Sequence, residues 1–280
     1  MNYQEALNKG IKILKSNKIK SFILDSEILL ASSLKLDRTR LLLNLNNNIK
    51  ENQKEIFFNF INRRKKNEPI AYILGFKEFW KNNFKINKSV LIPRPDTEIL
   101  VDQVLKEIKK NEIKQILDIG TGSGCIILSV LKERKNSFGY GIDISKKAIN
   151  LAKNNAKIQH ISNRIKFLHS NIDNYYFGKY DLIVSNPPYI NNFELKCLDD
   201  DVIGYEPIKA LDGGVEGLSQ IKKVIRKSSK LIKKNGTLIL EIGFGQKNKV
   251  LSLLKDNEFY INGIIKDLSN KDRCIISTKI

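Results

Sequence analysis

Two short strings in this chain of 280 residues bring together residue types that can do chemistry at close spacing. The first is Asp118-Ile119-Gly120-Thr121-Gly122-Ser123-Gly124. Three glycines at alternate positions allow a tight turn and a close backbone approach to a ligand, and a helix after them presents free N–H groups. The spacing is G-x-G-x-G rather than G-x-G-x-x-G, and no lysine of the phosphate-loop kind follows. That disfavours a pyrophosphate and favours the methionine part of S-adenosylmethionine lying over Gly120, Thr121, Gly122, Ser123 and Gly124. Asp143 stands 25 residues after Asp118 and closes Tyr140-Gly141-Ile142-Asp143. A carboxylate there can accept two hydrogen bonds from ribose hydroxyls; it can also cap the helix beginning at Ser145. Asn171, in Ser170-Asn171-Ile172, is expected near the adenine with its amide against the exocyclic amine, although asparagine is also a common turn residue.

The second string is Asn186-Pro187-Pro188-Tyr189. Its two prolines fix the backbone and aim the Asn186 side chain and the neighbouring carbonyls out of the sheet edge. Such a pair suits methylation of a planar amino nitrogen, whose lone pair is delocalised. The Asn186 side-chain carbonyl and the Pro187 backbone carbonyl can bind both N–H protons. That holds the nitrogen in line with a sulfonium methyl and favours the charge that develops on it. Tyr189 offers an aromatic face to the planar group. Asn186, Pro187 and Tyr189 are therefore the expected catalytic residues. Pro188 joins them in the expected substrate site, and Asn186 is expected to border the cofactor as well.

The elements that must hold these strings alternate from residue 114 onward. Strand patterns cover 114–119, 138–143, 165–168, 181–185, 236–241, 260–266 and 273–278; helix patterns cover 123–133, 145–156, 218–233 and 247–255. Strands separated by helices imply a parallel, doubly wound sheet covered on both faces. The last two strands have only a short turn between them, so one of them runs antiparallel. The expected class is α/β: a Rossmann-like, class I S-adenosylmethionine-dependent methyltransferase sheet of seven strands with the last one antiparallel. Upstream, apolar residues recur at helical spacing in 3–14, 22–34, 38–45 and 51–66, predicting a small all-α bundle over 1–70. Residues 71–95 read as a β-hairpin linker, with extended segments 71–75, 76–80 and 84–92 broken at Gly75 and Asn82-Asn83. Asp96 or Thr97 is placed to cap a helix over 99–109, and 96–280 forms the catalytic domain.

Composition narrows the class. Hydrophobic content of 41% and charged content of 28% suit a folded globular chain. No apolar run reaches the roughly 18–20 residues that span a bilayer, and the N-terminus lacks a continuous apolar core, so no membrane association and a cytoplasmic location are expected. Cys125, Cys197 and Cys274 are odd in number and widely spaced, which suits reduced thiols rather than a disulfide framework or a zinc cluster. His160 and His169 are the only histidines and lack metal-ligand spacing, so no metal is expected. The net charge is +19, yet it comes from 40 Lys against 9 Arg, beside 41 Ile and 30 Asn, the bias of an AT-rich genome. Arginine, the residue suited to bidentate phosphate and guanine recognition, is scarce. Residues 1–90 are the more basic part, with 18 Lys and Arg against 8 Asp and Glu. Steering toward an acidic or ribosomal-RNA-associated partner is the functional alternative to compositional drift.

Taken with their surroundings, these strings resemble the bacterial peptide chain release factor glutamine methyltransferases over essentially the full length. The marks outside the sheet are Arg64-Lys65-Lys66-Asn67-Glu68-Pro69-Ile70-Ala71-Tyr72-Ile73-Leu74-Gly75, Lys77-Glu78-Phe79-Trp80 and Pro93-Arg94-Pro95-Asp96-Thr97-Glu98. Tyr205-Glu206-Pro207 and Ala210-Leu211-Asp212-Gly213-Gly214-Val215-Glu216-Gly217-Leu218 complete them. The resemblance implies S-adenosyl-L-methionine as cofactor and, as substrate, the side-chain amide nitrogen of the glutamine in the Gly-Gly-Gln motif of class I peptide chain release factors. It further implies that the N-terminal bundle recognises the factor, with a monomeric enzyme and no stable nucleic-acid binding. The chain departs from the family at Asn171, where an acidic residue often stands, and at Ile172, where an aromatic one often follows. Two other readings compete. An adenine-amino methyltransferase on DNA or RNA would use the same Asn-Pro-Pro-Tyr chemistry but usually carries a separate target-recognition region. A non-enzymatic cofactor-binding module or RNA-binding scaffold would not need an intact Asn186 site.

Overall fold

Helix formation at the N-terminus starts from a reciprocal cap, in which Asn2 Oδ1 accepts from the Glu5 N–H and the Glu5 carboxylate accepts from the Asn2 N–H. The computed structural model describes residues 1–280 and resolves two units, Met1–Phe76 with Asp199–Tyr205, and Lys77–Leu198 with Glu206–Ile280. In the first unit α1 (Tyr3–Ser16), α2 (Phe22–Leu34), α3 (Arg38–Leu43) and α4 (Glu51–Arg64) surround one apolar core. Leu7 and Leu14 of α1, Leu29 and Leu30 of α2, and Phe57 and Ile61 of α4 are buried in it, each contributing about 1.5–3 kcal/mol of transfer free energy. Arg64 is buried beside Asp25 at 2.7 Å, and Arg63 grips Glu68 through two nitrogens at 2.9 and 2.8 Å.

Residues 71–75, expected to be extended, instead lie mostly in a short helix, α5 (Ile70–Leu74). Pro69 at its N-cap has φ −58°, which suits a helix start, and Gly75 at φ 78° closes it. Tyr72 and Ile73 are buried. Five apolar residues are too few for periodicity to separate helix from strand. The hairpin that follows, β1 (Phe76–Phe79) and β2 (Asn82–Lys85), turns at Trp80-Lys81 with Trp80 at φ 47°. The turn is therefore not at Asn82-Asn83, which begin β2, and 84–92 is not one strand. Asn82 is buried and its side chain accepts from the Lys132 ammonium, which accounts for an asparagine inside a strand.

In the second unit α6 (Glu98–Glu107) precedes a seven-stranded sheet. Its strands are β3 (Gln115–Ile119), β4 (Phe138–Asp143), β5 (Ile165–His169), β6 (Tyr180–Ser185), β7 (Ile232–Glu241), β8 (Phe259–Lys266) and β9 (Asp272–Lys279). They are ordered β5-β4-β3-β6-β7-β9-β8, with β9 antiparallel to both its neighbours. The helices are α7 (Cys125–Glu133), α8 (Lys146–Ile158), α9 (Asn192–Leu195), α10 (Asp200–Ile203), whose residues belong to the first unit, α11 (Ser219–Leu231) and α12 (Lys247–Asp256). Successive strand residues feed two cores: Ile116, Val184 and Ile239 pack with α6 to α8, while Leu117, Ile183 and Leu238 pack with α11 and α12. Burial on both faces is what a parallel sheet requires. Between β5 and β6 only a 3-10 turn, Ile172–Asn174, replaces a crossover helix. No helix of the chain is long and apolar enough to cross a membrane.

Register decides where the chemistry falls. Ile119 lies opposite Ile142 on one side and Ser185 on the other, and Ser185 lies opposite Leu240. The carboxyl ends of β3, β4, β6 and β7 are thus level. Because β4 lies on one side of β3 and β6 on the other, a crevice opens there at the reversal of strand order, where sheets of this kind bind ligands.

Candidate active site

The chain turns sharply after Ile119. The Gly120 and Thr121 amides both donate to the Ile142 carbonyl at 2.9 and 3.0 Å, and Gly124 N–H donates to Thr121 O at 2.8 Å. Gly120, Gly122 and Gly124 have φ of 75°, 55° and 80°, a region that strains any side chain. An added Cβ would meet nothing within 4 Å at Gly120 and only the Gly120 carbonyl, at 4.0 Å, at Gly122, whereas at Gly124 it would press on Leu128 and Phe167. The loop therefore has an open outer face at Gly120 and Gly122 and an inner face in the core. Thr121 and Ser123 point inward: Thr121 Oγ1 donates to Asp118 Oδ2 at 2.7 Å, and both residues are buried. Asn155 braces the loop from below, donating to Ser123 O at 2.9 Å and exchanging two bonds with the Lys85 backbone.

Asp143 closes the same corner. Its Oδ2 accepts from Gly122 N–H at 2.9 Å and its Oδ1 from Ser145 N–H at 2.8 Å. It does not cap α8, because Ser145 Oγ does so by accepting from Ala148 N–H at 3.2 Å. With one bond on each oxygen, the carboxylate keeps about two further acceptor sites. Burial raises its pKa, while the Ser145 and Gly122 amides and His169 act against that. Asn171 lies past β5, two strands from β3, and is exposed. Its Oδ1 accepts from Asp173 N–H at 3.0 Å, so the structure places it in a turn with only its amide nitrogen uncommitted.

Across the crevice, Ser185 Oγ donates to Ile119 O at 2.7 Å and ties the end of β6 to the end of β3. Asn186 follows. Its Nδ2 donates to Thr97 Oγ1 at 3.1 Å, while its Oδ1 and the Pro187 carbonyl accept no hydrogen bond. Tyr189 donates its hydroxyl to Glu241 Oε1 at 3.1 Å, and the Arg273 guanidinium lies over its ring at 6.0 Å. The Tyr189 carbonyl accepts from Gln246 Nε2 at 2.9 Å, and a Cβ on Gly217 would come within 2.3 Å of it, so only glycine fits there. The Glu206 carboxylate accepts from Ile92 N–H at 3.1 Å and from Arg94 at 2.6 Å, fastening the segment that returns at residue 206 to the stretch leading to Thr97.

Two carboxyls under this edge are held near neutrality. Burial pushes Asp118 up to about 7 against the pull of Thr121. Burial likewise pushes Glu241 up to about 7, opposed by Thr97, Arg273 and Tyr189. The Tyr189 phenol is pushed up by burial and then by Glu241. Sequence reasoning brought Thr97 forward only as a cap, yet α6 has no side-chain cap and the Thr97 hydroxyl faces Asn186. Glu241, Arg273, Gln246 and Asn155 went unread, since each reaches the site through the fold and carries no local signal.

The site and sheet together define a class I methyltransferase. Two solved structures share the fold: a methyltransferase from Pyrococcus furiosus (TM-score 0.53, 16% identity, 70% of this chain and 88% of that one) and a ribosomal protein L11 methylase from Lactobacillus delbrueckii (TM-score 0.51, 18% identity, 73% and 89%). Residues 95–199 match the methyltransferase small domain and residues 5–75 the PrmC N-terminal domain. The release factor glutamine methyltransferase of Clostridium botulinum is 41% identical over 100% of both chains, and that of Fusobacterium nucleatum is 41% identical over 98% of this chain and 78% of its own. The chain belongs to the release factor glutamine methyltransferase family. S-adenosylmethionine is the methyl donor of this class. The residues present fit it: the loop is open at Gly120 and Gly122, and Asp143 has acceptor capacity left.

Proposed function

We propose that this chain methylates the side-chain amide nitrogen of the glutamine in the Gly-Gly-Gln motif of class I release factors. The observation that carries the reading is the pair of uncommitted acceptors, Asn186 Oδ1 and the Pro187 carbonyl, at the end of β6 beside the glycine loop. Bound S-adenosylmethionine supplies an electrophilic methyl on a sulfonium. Gly120 to Gly124 would carry it on their backbone, Asp143 would hold its ribose, and Asn171 would offer its amide nitrogen toward the adenine. Asn186 and Pro187 accept the two N–H protons of a primary amide and so orient its nitrogen toward the crevice. Tyr189, with Pro188, supplies the planar wall against which the amide lies. As the nitrogen becomes positive both acceptor bonds strengthen, which is where their contribution to rate lies. The methylated nitrogen is then strongly acidic and loses its proton to water without a dedicated base. The N-terminal unit, which matches the family's own N-terminal domain, is proposed to hold another face of the factor.

The test is incubation of the enzyme with labelled cofactor and either a purified class I release factor or duplex DNA, followed by mass spectrometry of the acceptor. Label on the Gly-Gly-Gln glutamine is expected. Label on adenine alone would replace this reading with the adenine-amino one.

A further inference from the structure

Tyr189 supplies the wall against which the substrate amide lies, so the plane of its ring matters as much as its position. Two supports fix its ends: the hydroxyl donates to Glu241 Oε1 at 3.1 Å, and the carbonyl accepts from Gln246 Nε2 at 2.9 Å. Neither sets the plane. The phenol oxygen lies on the axis through Cβ and Cγ, so the ring can turn about that axis without moving its hydroxyl. Only groups packed against the ring resist the turn. The Arg273 guanidinium stands over it with Cζ 6.0 Å from the ring centre. Gly243 leaves the ring room, since a Cβ there would come to 3.0 Å from Tyr189 Cδ2.

Arg273 is a rigid support. Its side chain is 13% exposed, and Nε and Nη2 donate to Asp267 Oδ2 at 3.2 and 3.0 Å. Nη1 donates to the Ile242 carbonyl at 3.2 Å and lies 3.5 Å from the Tyr189 hydroxyl oxygen. Asp267 is fixed in turn, because its Oδ1 accepts from the Ser269 and Lys271 amides at 2.9 and 3.0 Å in the turn between β8 and β9. A planar guanidinium held through all three nitrogens has one orientation.

We infer that Arg273 is a positioning residue that sets the plane of the Tyr189 ring, with Asp267 holding the guanidinium. A cation over an aromatic face is attracted to it, and a fixed cation therefore fixes the face. Pairing with Asp267 leaves no net charge beside a nitrogen that becomes positive during transfer. The inference rests on the assignment of Tyr189 as the wall of the substrate site. It adds that the closing hairpin of the sheet takes part in orienting the amide, through a residue 84 positions beyond Tyr189.

The experiment uses the full chain with S-adenosylmethionine and a purified class I release factor. Arg273→Ala removes the guanidinium but leaves Asp267 buried without its cation. Arg273→Met combined with Asp267→Asn removes the cation with no unpaired charge, and the new amide oxygen can still accept from the turn. Both variants should lower kcat about tenfold, the scale of a desolvated cation–ring contact. KM for the factor should stay within about twofold, and cofactor affinity by calorimetry should match the parent. The decisive arm is a double-mutant cycle on the charge-neutral pair. If Arg273 acts through the ring, the pair should cost less than about twofold in a Tyr189→Ala background. Full activity of the charge-neutral pair, a loss lying wholly in cofactor affinity, or losses that multiply in the Tyr189→Ala background would overturn the inference. With the glutamine still the labelled group, each of these leaves the proposed function standing. Unchanged activity in Tyr189→Ala would remove the assignment of Tyr189, and the inference with it.

Discussion

On the β3–β4 side of the carboxyl edge the site is built from backbone. The Gly120, Thr121, Gly122 and Gly124 amides are placed by carbonyls and a carboxylate within about one βα unit of them, and the conformation follows from three glycines at positive φ. On the β6–β7 side it is built from side chains held by partners far along the chain: Asn186 by Thr97, the Tyr189 hydroxyl by Glu241, and the Tyr189 carbonyl by Gln246. A backbone cradle is robust to most side-chain changes but intolerant of a Cβ where φ is positive. A side-chain scaffold fails at any one of its supports. The cofactor side should therefore respond to substitution through affinity, and the acceptor side through rate.

The largest effect tests the acceptor side. Asn186→Ala removes an acceptor that matters most as the nitrogen becomes positive, so kcat should fall about 10²–10³-fold with little change in cofactor affinity. Asn186→Asp keeps an outward acceptor and adds a negative charge that favours a cationic transition state. It also replaces the Nδ2 donor by an oxygen facing Thr97 and places a charge near Glu241. Partial activity is expected, above that of Ala and well below the parent, in single-turnover measurements with labelled cofactor. A fall in cofactor affinity that accounts for the whole loss would abolish the proposed division between the two sides.

The cofactor side should show the opposite pattern. Asp143→Ala should weaken S-adenosylmethionine binding by about 1.5–3 kcal/mol, the range for hydrogen bonds to a charged group. Gly122→Val should be worse, because a β-branched side chain both resists φ 55° and occupies the open face of the loop. At saturating cofactor the Asp143→Ala enzyme should recover most of its kcat. Calorimetry that finds an unchanged affinity would take Asp143 out of the site.

A smaller effect concerns stability beneath the acceptor side. Glu241 is raised from 4.5 to about 7 by burial. The folded chain therefore holds a proton that the unfolded chain releases between those values, so this group makes stability fall as pH rises from about 4.5 to 7 and level off above. Glu241→Gln removes that component, worth up to about 3 kcal/mol, and should flatten the decline without abolishing it, since Asp118 acts with the same sign. Thermal melts from pH 4.5 to 8 check this. Parallel curves for parent and variant would mean that Glu241 ionises in the ordinary range.

What could be read beforehand follows the same division. The glycine spacing, the Asp143 position and the alternation from residue 114 are local patterns, and the seven-stranded, mostly parallel sheet they imply, with β9 antiparallel, is the one observed. Asn186 to Tyr189 were legible because prolines mark them. Thr97 was visible but assigned to the helix beside it, and Glu241 could not be told from any acid at a strand end. Hydrogen bonds that cross 52 or 89 residues leave no periodicity to find. The segment 71–75 was misread for the opposite reason, since its five apolar residues hold too little pattern to distinguish strand from helix.

The smallest expected effect concerns the two histidines. Both are exposed, and neither touches the acceptor side: His160 sits just past α8 at φ 58°, and His169 ends β5 with Nε2 2.9 Å from the Ile144 carbonyl. His169 acts electrostatically on Asp143, so His169→Ala should lower cofactor affinity slightly, about twofold or less for an exposed charge interaction. His160→Ala should change nothing measurable. Because proton loss from the methylated amide needs no protein base in this scheme, neither substitution should alter the shape of the kcat–pH profile. An inflection near neutral pH would arise from the buried carboxyls Glu241 and Asp118, both raised to about 7, and should survive both histidine changes. A bell-shaped profile abolished by His160→Ala or His169→Ala would require a general base on the cofactor side. The acceptor side would then no longer account for the rate, even with the glutamine still confirmed as the methylated group.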